Sequence, residues 1–351
     1  MNRLTNRMML VGHFGIGALA QSYKVAFEEL GYEVSCFDIN SSVGKYCRLG
    51  ALGRKFNAYV PVGTWVRKAN REMVVKARQL MPRLVAVVGS CPVSAGALAQ
   101  IKASLEVTLV HIWPDTLVNL DSSLIECLPL YDLECVYSQS AVKPIQKLGA
   151  TRPVWVPLAG DPSIHSVPQC TESEAVEYGA DVTFIGGWRP EREAVLSALT
   201  QFNLKIWGPD WGRRHKNTPA IKEAWQGRAL YGREFAKAVA SSKINLNIID
   251  HTNYPAANMR FFEISCAGGL QVCSPCPEME PEFKHGETTI YYRDVSELSD
   301  QIHDLLKDSE LCGKVRQAAY RKVMEKHTYL HRAREILSLL GSQRSAANAS
   351  N

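Results

Sequence analysis

No apolar run in this 351-residue chain approaches the roughly 18 residues that a membrane-spanning helix needs, so no transmembrane segment is expected. The dense cysteine spacing of a small disulfide scaffold is also missing. Ten cysteines lie scattered at irregular intervals, which excludes a disulfide framework as the organising principle and points to a reducing compartment, the cytoplasm. Acidic residues nearly vanish from one long stretch. Across residues 41–83 ten lysines and arginines face a single acid, Glu72, a local charge of +9 within a chain of net charge +5. Tyr46, Phe56, Tyr59 and Trp65 are interleaved with them. Such a field attracts polyanions, whether nucleic acid, an anionic lipid surface or a phosphate-bearing polymer, and a solvated helix face with its loop is the equal alternative.

What is present is a globular composition, 46% hydrophobic and 21% charged, in a chain long enough for two domains of ordinary size. Arg3 and Arg7 precede the apolar stretch 8–20 in the manner of a signal peptide. His13 and three glycines interrupt that stretch, however. Leu19, Tyr23, Ala26, Phe27 and Leu30 share a helical face that begins inside it. The segment therefore reads as a strand, a glycine-rich turn and a helix.

Short apolar runs then alternate with helical patterns. Strands are expected at 8–12, 33–38, 84–88, 106–111, 133–137 and 153–156. The same grammar restarts at 181–185 and continues through 204–207, 244–248 and 270–272. Alternation of this kind implies an α/β fold with parallel sheets covered on both faces. Residues 1–160 read as a first domain and 161–180 as a linker, with Pro157, Gly160, Pro162 and Pro168 marking the break. Residues 181–325 read as a second domain, 326–341 as a C-terminal helix packing back toward the first, and 342–351 as a disordered tail. Ligands of such sheets bind beyond the carboxyl ends of the strands, so a cleft between the domains is the expected site.

Three constellations carry chemistry. Gly12-His13-Phe14-Gly15-Ile16-Gly17 lies between the first strand and helix, where backbone N–H groups and a helix N-terminus favour an anion. Its spacing departs from the dinucleotide fingerprint G-x-G-x-x-G, although Asp38 ends the second strand about where a ribose-binding acid would sit. An NAD(P)-dependent oxidoreductase is thus one alternative, and a tight turn without cofactor is another. Ile185-Gly186-Gly187-Trp188-Arg189-Pro190-Glu191-Arg192 ends a strand in two glycines and opens a helix with two arginines, a layout suited to a diphosphate. A surface helix with Arg–Glu pairs explains that spacing equally well. In Asn258-Met259-Arg260-Phe261-Phe262-Glu263, Asn258 is the candidate N-cap and Arg260 and Glu263 share one face. The acid can accept two ribose hydroxyls while the arginine meets phosphate; an ordinary i,i+3 ion pair is the simpler explanation of the spacing alone. Cys273-Ser274-Pro275-Cys276 has half-site metal spacing but no second pair, so incidental cysteines are expected and no metal.

The stretch from Tyr231 to about Leu340 resembles the C-terminal domain of the "glycosyl transferases group 1" families, and most closely the spore-maturation CgeB-like branch. The residues carrying the resemblance are Ser242-Lys243-Ile244-Asn245-Leu246-Asn247, Arg260-Phe261-Phe262-Glu263 with Cys266-Ala267-Gly268-Gly269, Phe283-Lys284-His285-Gly286-Glu287 and His327-Thr328. It extends upstream through Gly186-Gly187-Trp188-Arg189 and Ile206-Trp207-Gly208. The Arg-x-x-Glu pattern is similar, more distantly, to phage DNA β-glucosyltransferases. The resemblance implies a GT-B fold, two Rossmann-like domains with parallel sheets facing across a cleft, and transfer of a sugar from a nucleotide-sugar substrate, UDP-linked, with no cofactor. It assigns the ribose to Glu263, the diphosphate to Gly187, Arg189, Arg192 and Arg260, and the surroundings of the base to Trp207, Gly208 and Tyr231. Many relatives carry a further acid eight residues before the ribose-binding one, where this chain has Pro255, so the sugar contact departs from the pattern. Inverting enzymes of this fold need a base for the acceptor hydroxyl. Asp115, just past a strand end, is the candidate, with His111 and His13 as alternatives and a simple Pro-Asp turn as the competing explanation. Catalysis in this fold generally needs no bound metal, and the sequence lacks Asp-x-Asp. Gly15, Gly17, His13, Lys45, Arg48 and Arg54 are assigned to the acceptor side, the acceptor being hydroxymethylated DNA or a molecule of an anionic cell envelope. A non-catalytic binding protein of the same fold is the remaining alternative.

Overall fold

The computed structural model describes residues 6–15, 17–47, 62–167, 169–214 and 219–349. The chain divides into two compact units, one made of Met1–Pro157 with Leu330–Asn351, the other of Leu158–Tyr329.

The first unit holds six parallel strands in the order β2-β1-β3-β4-β5-β6. They are β1 Arg7–Gly12, β2 Glu33–Asp38, β3 Leu84–Val88, β4 Thr108–Trp113, β5 Leu133–Val136 and β6 Pro153–Trp155. The central strands are near-continuous apolar runs because helices cover both faces of such a sheet. All five residues of β3 are buried. Met8 pairs in register with Val34 on one side and Leu84 on the other. β4 begins two residues later than expected and extends to Trp113, whose side chain is 1% exposed in the core. His111 breaks the apolar alternation but sits fully buried beside Glu134, its Nδ1 2.8 Å from the carboxylate.

The second unit holds five parallel strands in the order β11-β10-β9-β7-β8. These are β7 Val182–Ile185, β8 Leu204–Trp207, β9 Ile244–Asn247, β10 Gln271–Cys273 and β11 Ile290–Tyr291. β11 escapes sequence reading because two residues carry no periodicity. One apolar layer gathers Phe184, Ile206, Leu246 and Val272; another gathers Ile185, Trp207, Phe235, Val239 and Ile264. The stretch read as a linker holds two short helices, Pro162–His165 and Glu172–Tyr178. A capping box starts the second: Thr171 Oγ1 accepts from the Glu174 amide, and the Glu174 carboxylate accepts from the Thr171 amide.

Three helices close the chain, Val295–Lys307, Ser309–Lys326 and Tyr329–Ala349. The segment expected as a frayed tail begins inside the last of them. Within the first unit Arg332 Nε donates to the Pro157 carbonyl at 2.8 Å, and Arg152 Nη2 donates to that of Leu339 at 3.0 Å. Among the described residues no helix is long and apolar enough to cross a membrane. All ten cysteines are free thiols.

Candidate functional site

The strand order of the second sheet reverses between β7 and β9, and the crevice beyond two such carboxyl ends is where α/β sheets take ligands. β7 leads through Gly186 and Gly187 into the helix Pro190–Ser197. Pro190 occupies the first turn, where a missing N–H costs nothing. Arg189 stands at the N-cap without a capping side chain, leaving first-turn amides available to an anion. β9 leads through residues 248–258 into the helix Met259–Cys266.

That second helix is set by its ends. Asn258 Oδ1 accepts from the Phe261 amide at 3.1 Å, the N-cap read from the sequence. The same side chain exchanges hydrogen bonds with Asn247 on β9, donating to it at 2.8 Å and accepting at 3.1 Å; Asn247 donates in turn to Gln271 on β10 at 2.9 Å. Buried amides of two strands thereby register the helix start against the sheet. At the far end Gly268 adopts φ +74°, and the Gly269 amide returns to the Ile264 carbonyl at 2.9 Å. Phe261 and Phe262 pack with Phe283, ring centroids 5.0 and 6.1 Å away.

So held, the helix directs Arg260 and Glu263 toward β7. Glu263 is buried, and one carboxylate oxygen, Oε2, accepts from Arg260 Nη1. Arg260 Nε donates to the Ile185 carbonyl at 3.2 Å, and its guanidinium lies over the Phe235 ring at 4.4 Å. This is an i,i+3 ion pair, but it is inward-facing and anchored to the strand end.

Arg192 takes a different position from a free phosphate ligand. Its Nη1 donates to the Gly187 carbonyl at 2.9 Å, and its Nη2 donates to Asp250 at 3.2 Å. Burial lowers the pKa of Arg192, opposed by the Asp250 charge. Burial also opposes ionisation of Asp250. Hydrogen bonds from Thr252 and Asn253, with the charges of Arg192 and Arg189, outweigh it and hold that carboxyl below its usual range. Arg192 thus braces the β7 turn against the β9 loop. Arg189 is exposed on the same turn. Near β8, Gly208 has φ +154°, and a Cβ there would lie 1.9 Å from the Gly186 carbonyl oxygen, so only glycine lets these two turns touch. Trp207 is 2% exposed, its ring between Tyr178 and Arg228, whose guanidinium lies 5.3 Å from it. Its carbonyl accepts from the Gly186 amide at 2.9 Å and the buried Gly208 donates to the Arg228 carbonyl at 3.0 Å, so this turn serves the packing of the unit. Tyr231 is 58% exposed at the start of the helix Gly232–Ser241.

Asp250, Arg228, Phe235 and His165 belong to this neighbourhood, and sequence reading did not single them out. His165 Nε2 lies 3.8 Å from Glu263 Oε1, and its ring meets Phe235 edge-on at 5.3 Å. The Asp161-Pro162 pair that starts its helix was the available signal: Asp161 Oδ1 accepts from the Ser163 amide at 2.9 Å.

In the first unit Asp38 serves as an N-cap, accepting from the Ser41 amide at 2.8 Å, and His13 lies 3.8 Å from it on an exposed turn. Gly17 has φ +74°, and a Cβ on Gly15 would meet the His13 ring at 2.6 Å. Asp115 is half-buried beyond β4; its oxygens accept from the Thr116 amide at 2.7 Å and from Asn119 Nδ2 at 2.8 Å, the turn-forming arrangement of a Pro-Asp pair. His111 has no exposed surface. Lys45 lies 3.9 Å from Glu72, while Arg48 and Arg54 lie outside the described residues. Lys68, Arg71 and Lys76 line a cavity of about 630 Å³ with Phe37 and Tyr46. Cys273 and Cys276 are both buried, and burial pushes the Cys276 thiol up to about 12. Among the described residues no group of three or more potential ligands could hold a metal ion.

Residues 189–338 match the family model described as "Glycosyl transferase-like". In fold the chain is similar to sucrose-phosphate synthase from Thermosynechococcus elongatus, at 12% identity over 97% of this chain and 100% of that one, with a TM-score of 0.68. It is similar to HepE of Anabaena in complex with UDP-glucose, at 12% identity over 96% and 99%, TM-score 0.63. A glycosyltransferase from Rickettsia africae aligns at 11% identity over 95% and 97%, TM-score 0.66. No curated protein sequence matches the chain.

Proposed function

We propose, from the premise that this chain is a glycosyltransferase of GT-B fold with its glycosyl transferase-like domain at residues 189–338, that it moves a sugar from a UDP-linked donor to a hydroxyl acceptor. The observation that carries the reading is the pair of half-buried Arg260 and buried Glu263, anchored to the Ile185 carbonyl where the sheet order reverses. A carboxylate there can accept both hydroxyls of a ribose, while Arg260 and the uncapped amides before Glu193 meet the diphosphate. Arg189 adds an exposed cation on the same turn. Arg192 contributes by holding the turn in place. The base would lie beside the exposed Tyr231, next to the Trp207–Gly208 turn.

Charge that builds on the departing diphosphate would be balanced by these arginines and the helix N-terminus, so the reaction as proposed uses no metal. Asp115 is the proposed base for an inverting displacement, taking the acceptor proton as the hydroxyl attacks the anomeric carbon and the bond to diphosphate breaks. The acceptor proposed is a polyanionic molecule, hydroxymethylated DNA or a molecule of an anionic envelope, attracted by the basic residues Lys45, Arg48 and Arg54 of the sequence. HepE was solved with UDP-glucose, which supports the choice of nucleotide. Incubating the purified chain with UDP- and GDP-sugars and measuring free nucleotide tests the reading. Release from a UDP-sugar, lost in Glu263→Ala, is expected; release from neither donor class would overturn it.

A further inference from the structure

The Glu263 carboxylate is held unevenly. Oε2 accepts from Arg260, whereas Oε1 accepts no hydrogen bond among the described residues. Facing Oε1 at 3.8 Å is His165 Nε2, beyond hydrogen-bond reach but within the movement of a side chain. The side chain is 8% exposed, and its other nitrogen, Nδ1, is buried without a partner. A buried histidine with neither nitrogen engaged is uncommon, because each unpaired polar atom carries a desolvation cost. Its place is nevertheless well determined. The His165 amide donates to the Asp161 carbonyl at 2.8 Å, the ring rests edge-on against Phe235, and Phe235 also supports the Arg260 guanidinium.

We propose that His165 is a positioning residue for donor binding: its neutral imidazole presents Nε2–H to Glu263 Oε1, opposing Arg260 on Oε2. The carboxylate is then fixed from both sides with lone pairs free for the ribose diol. The inference rests on the ribose role of Glu263 given above. The groups facing His165 are Glu263 and Arg260 from the helix Met259–Cys266 and Asp161 from its own helix. Burial dominates and lowers its pKa, Glu263 and Asp161 oppose that, and Arg260 adds to it. The ring is therefore neutral near pH 7. On acidification a cationic imidazole pairs with Oε1 and competes with the ribose hydroxyls, so donor affinity falls below the ordinary histidine range.

The test is calorimetric titration of the full chain with UDP and with 2′,3′-dideoxy-UDP. His165→Phe should weaken UDP about tenfold, the scale of one hydrogen bond to a charged group, and leave the dideoxy analogue unaffected. His165→Gln retains an N–H donor and cannot titrate; it should bind UDP nearly as the wild type does, without the loss at acid pH. A purely structural role would weaken both nucleotides equally and overturn the proposal. So would an unchanged UDP affinity in His165→Phe, or an acid loss retained in His165→Gln. Wild-type protein binding the two nucleotides equally would instead remove the ribose reading itself, a separate failure.

Discussion

Replacing Asp250 with alanine removes the acid that ties the β9 loop to Arg192. Asp250 is 7% exposed in its side chain and Arg192 14%. The substitution leaves the Arg192 guanidinium with the Gly187 carbonyl and without its paired carboxylate. It also removes the acceptor shared by the Thr252 amide and hydroxyl and by Asn253 Nδ2, which reach Asp250 Oδ1 at 2.6 to 3.1 Å. Breaking one side of a buried pair costs about 3–5 kcal/mol, and the partial exposure of Arg192 argues for the lower end, about 3 kcal/mol. For a unit of this size that corresponds to a fall of roughly 6–12 °C in its melting transition. Scanning calorimetry reads it, and Arg192→Met in the Asp250→Ala background should recover part of the loss. The sign with pH follows from the depressed carboxyl. The pair's contribution is complete above the ordinary aspartate range and fades as pH falls through the lower value of the folded state. A single-variant cost under about 1 kcal/mol, with no coupling in the double variant, would refute the brace.

Other outcomes follow from the same geometry. Gly208→Ala puts a methyl against the Gly186 carbonyl and should both destabilise the second unit, by at least about 1–3 kcal/mol of backbone strain, and abolish nucleotide binding; denaturant melts with UDP titration check it. Asn258→Ala loses the helix cap and the Asn247 exchange, an expected cost of about 1–2 kcal/mol, with donor affinity falling further than stability alone explains. Asp115→Asn should lower turnover while leaving UDP affinity unchanged; intact turnover would return Asp115 to a turn-forming role.

The two sheets were legible from short apolar runs set between helical patterns: 84–88, buried throughout, coincides with β3, and 33–38 and 204–207 coincide with the edge strands β2 and β8. Helix ends were legible where a cap announces them, as Asn258 and Pro190 do. The Thr171–Glu174 capping box was equally explicit, but prolines and a glycine nearby drew the reading toward a linker. The site was legible only in part. Arg260 and Glu263 share a helix, so spacing unites them. Arg192 and Asp250 are 58 residues apart, and His165 and Glu263 nearly a hundred; only the strand order brings such pairs together. Trp207 shows the converse, since an aromatic next to a glycine turn reads as a ligand contact although its ring completes a core.

Hydrogen exchange in the presence of UDP tests the central claim most directly, because it asks where the nucleotide sits. Binding at the β7–β9 reversal predicts slowed exchange at the amides of Gly187 to Arg192 and in the first turns of Met259–Cys266, with residues 12–17 unchanged. Protection of 12–17 instead, or protection by NAD(P) and not by UDP, would contradict it.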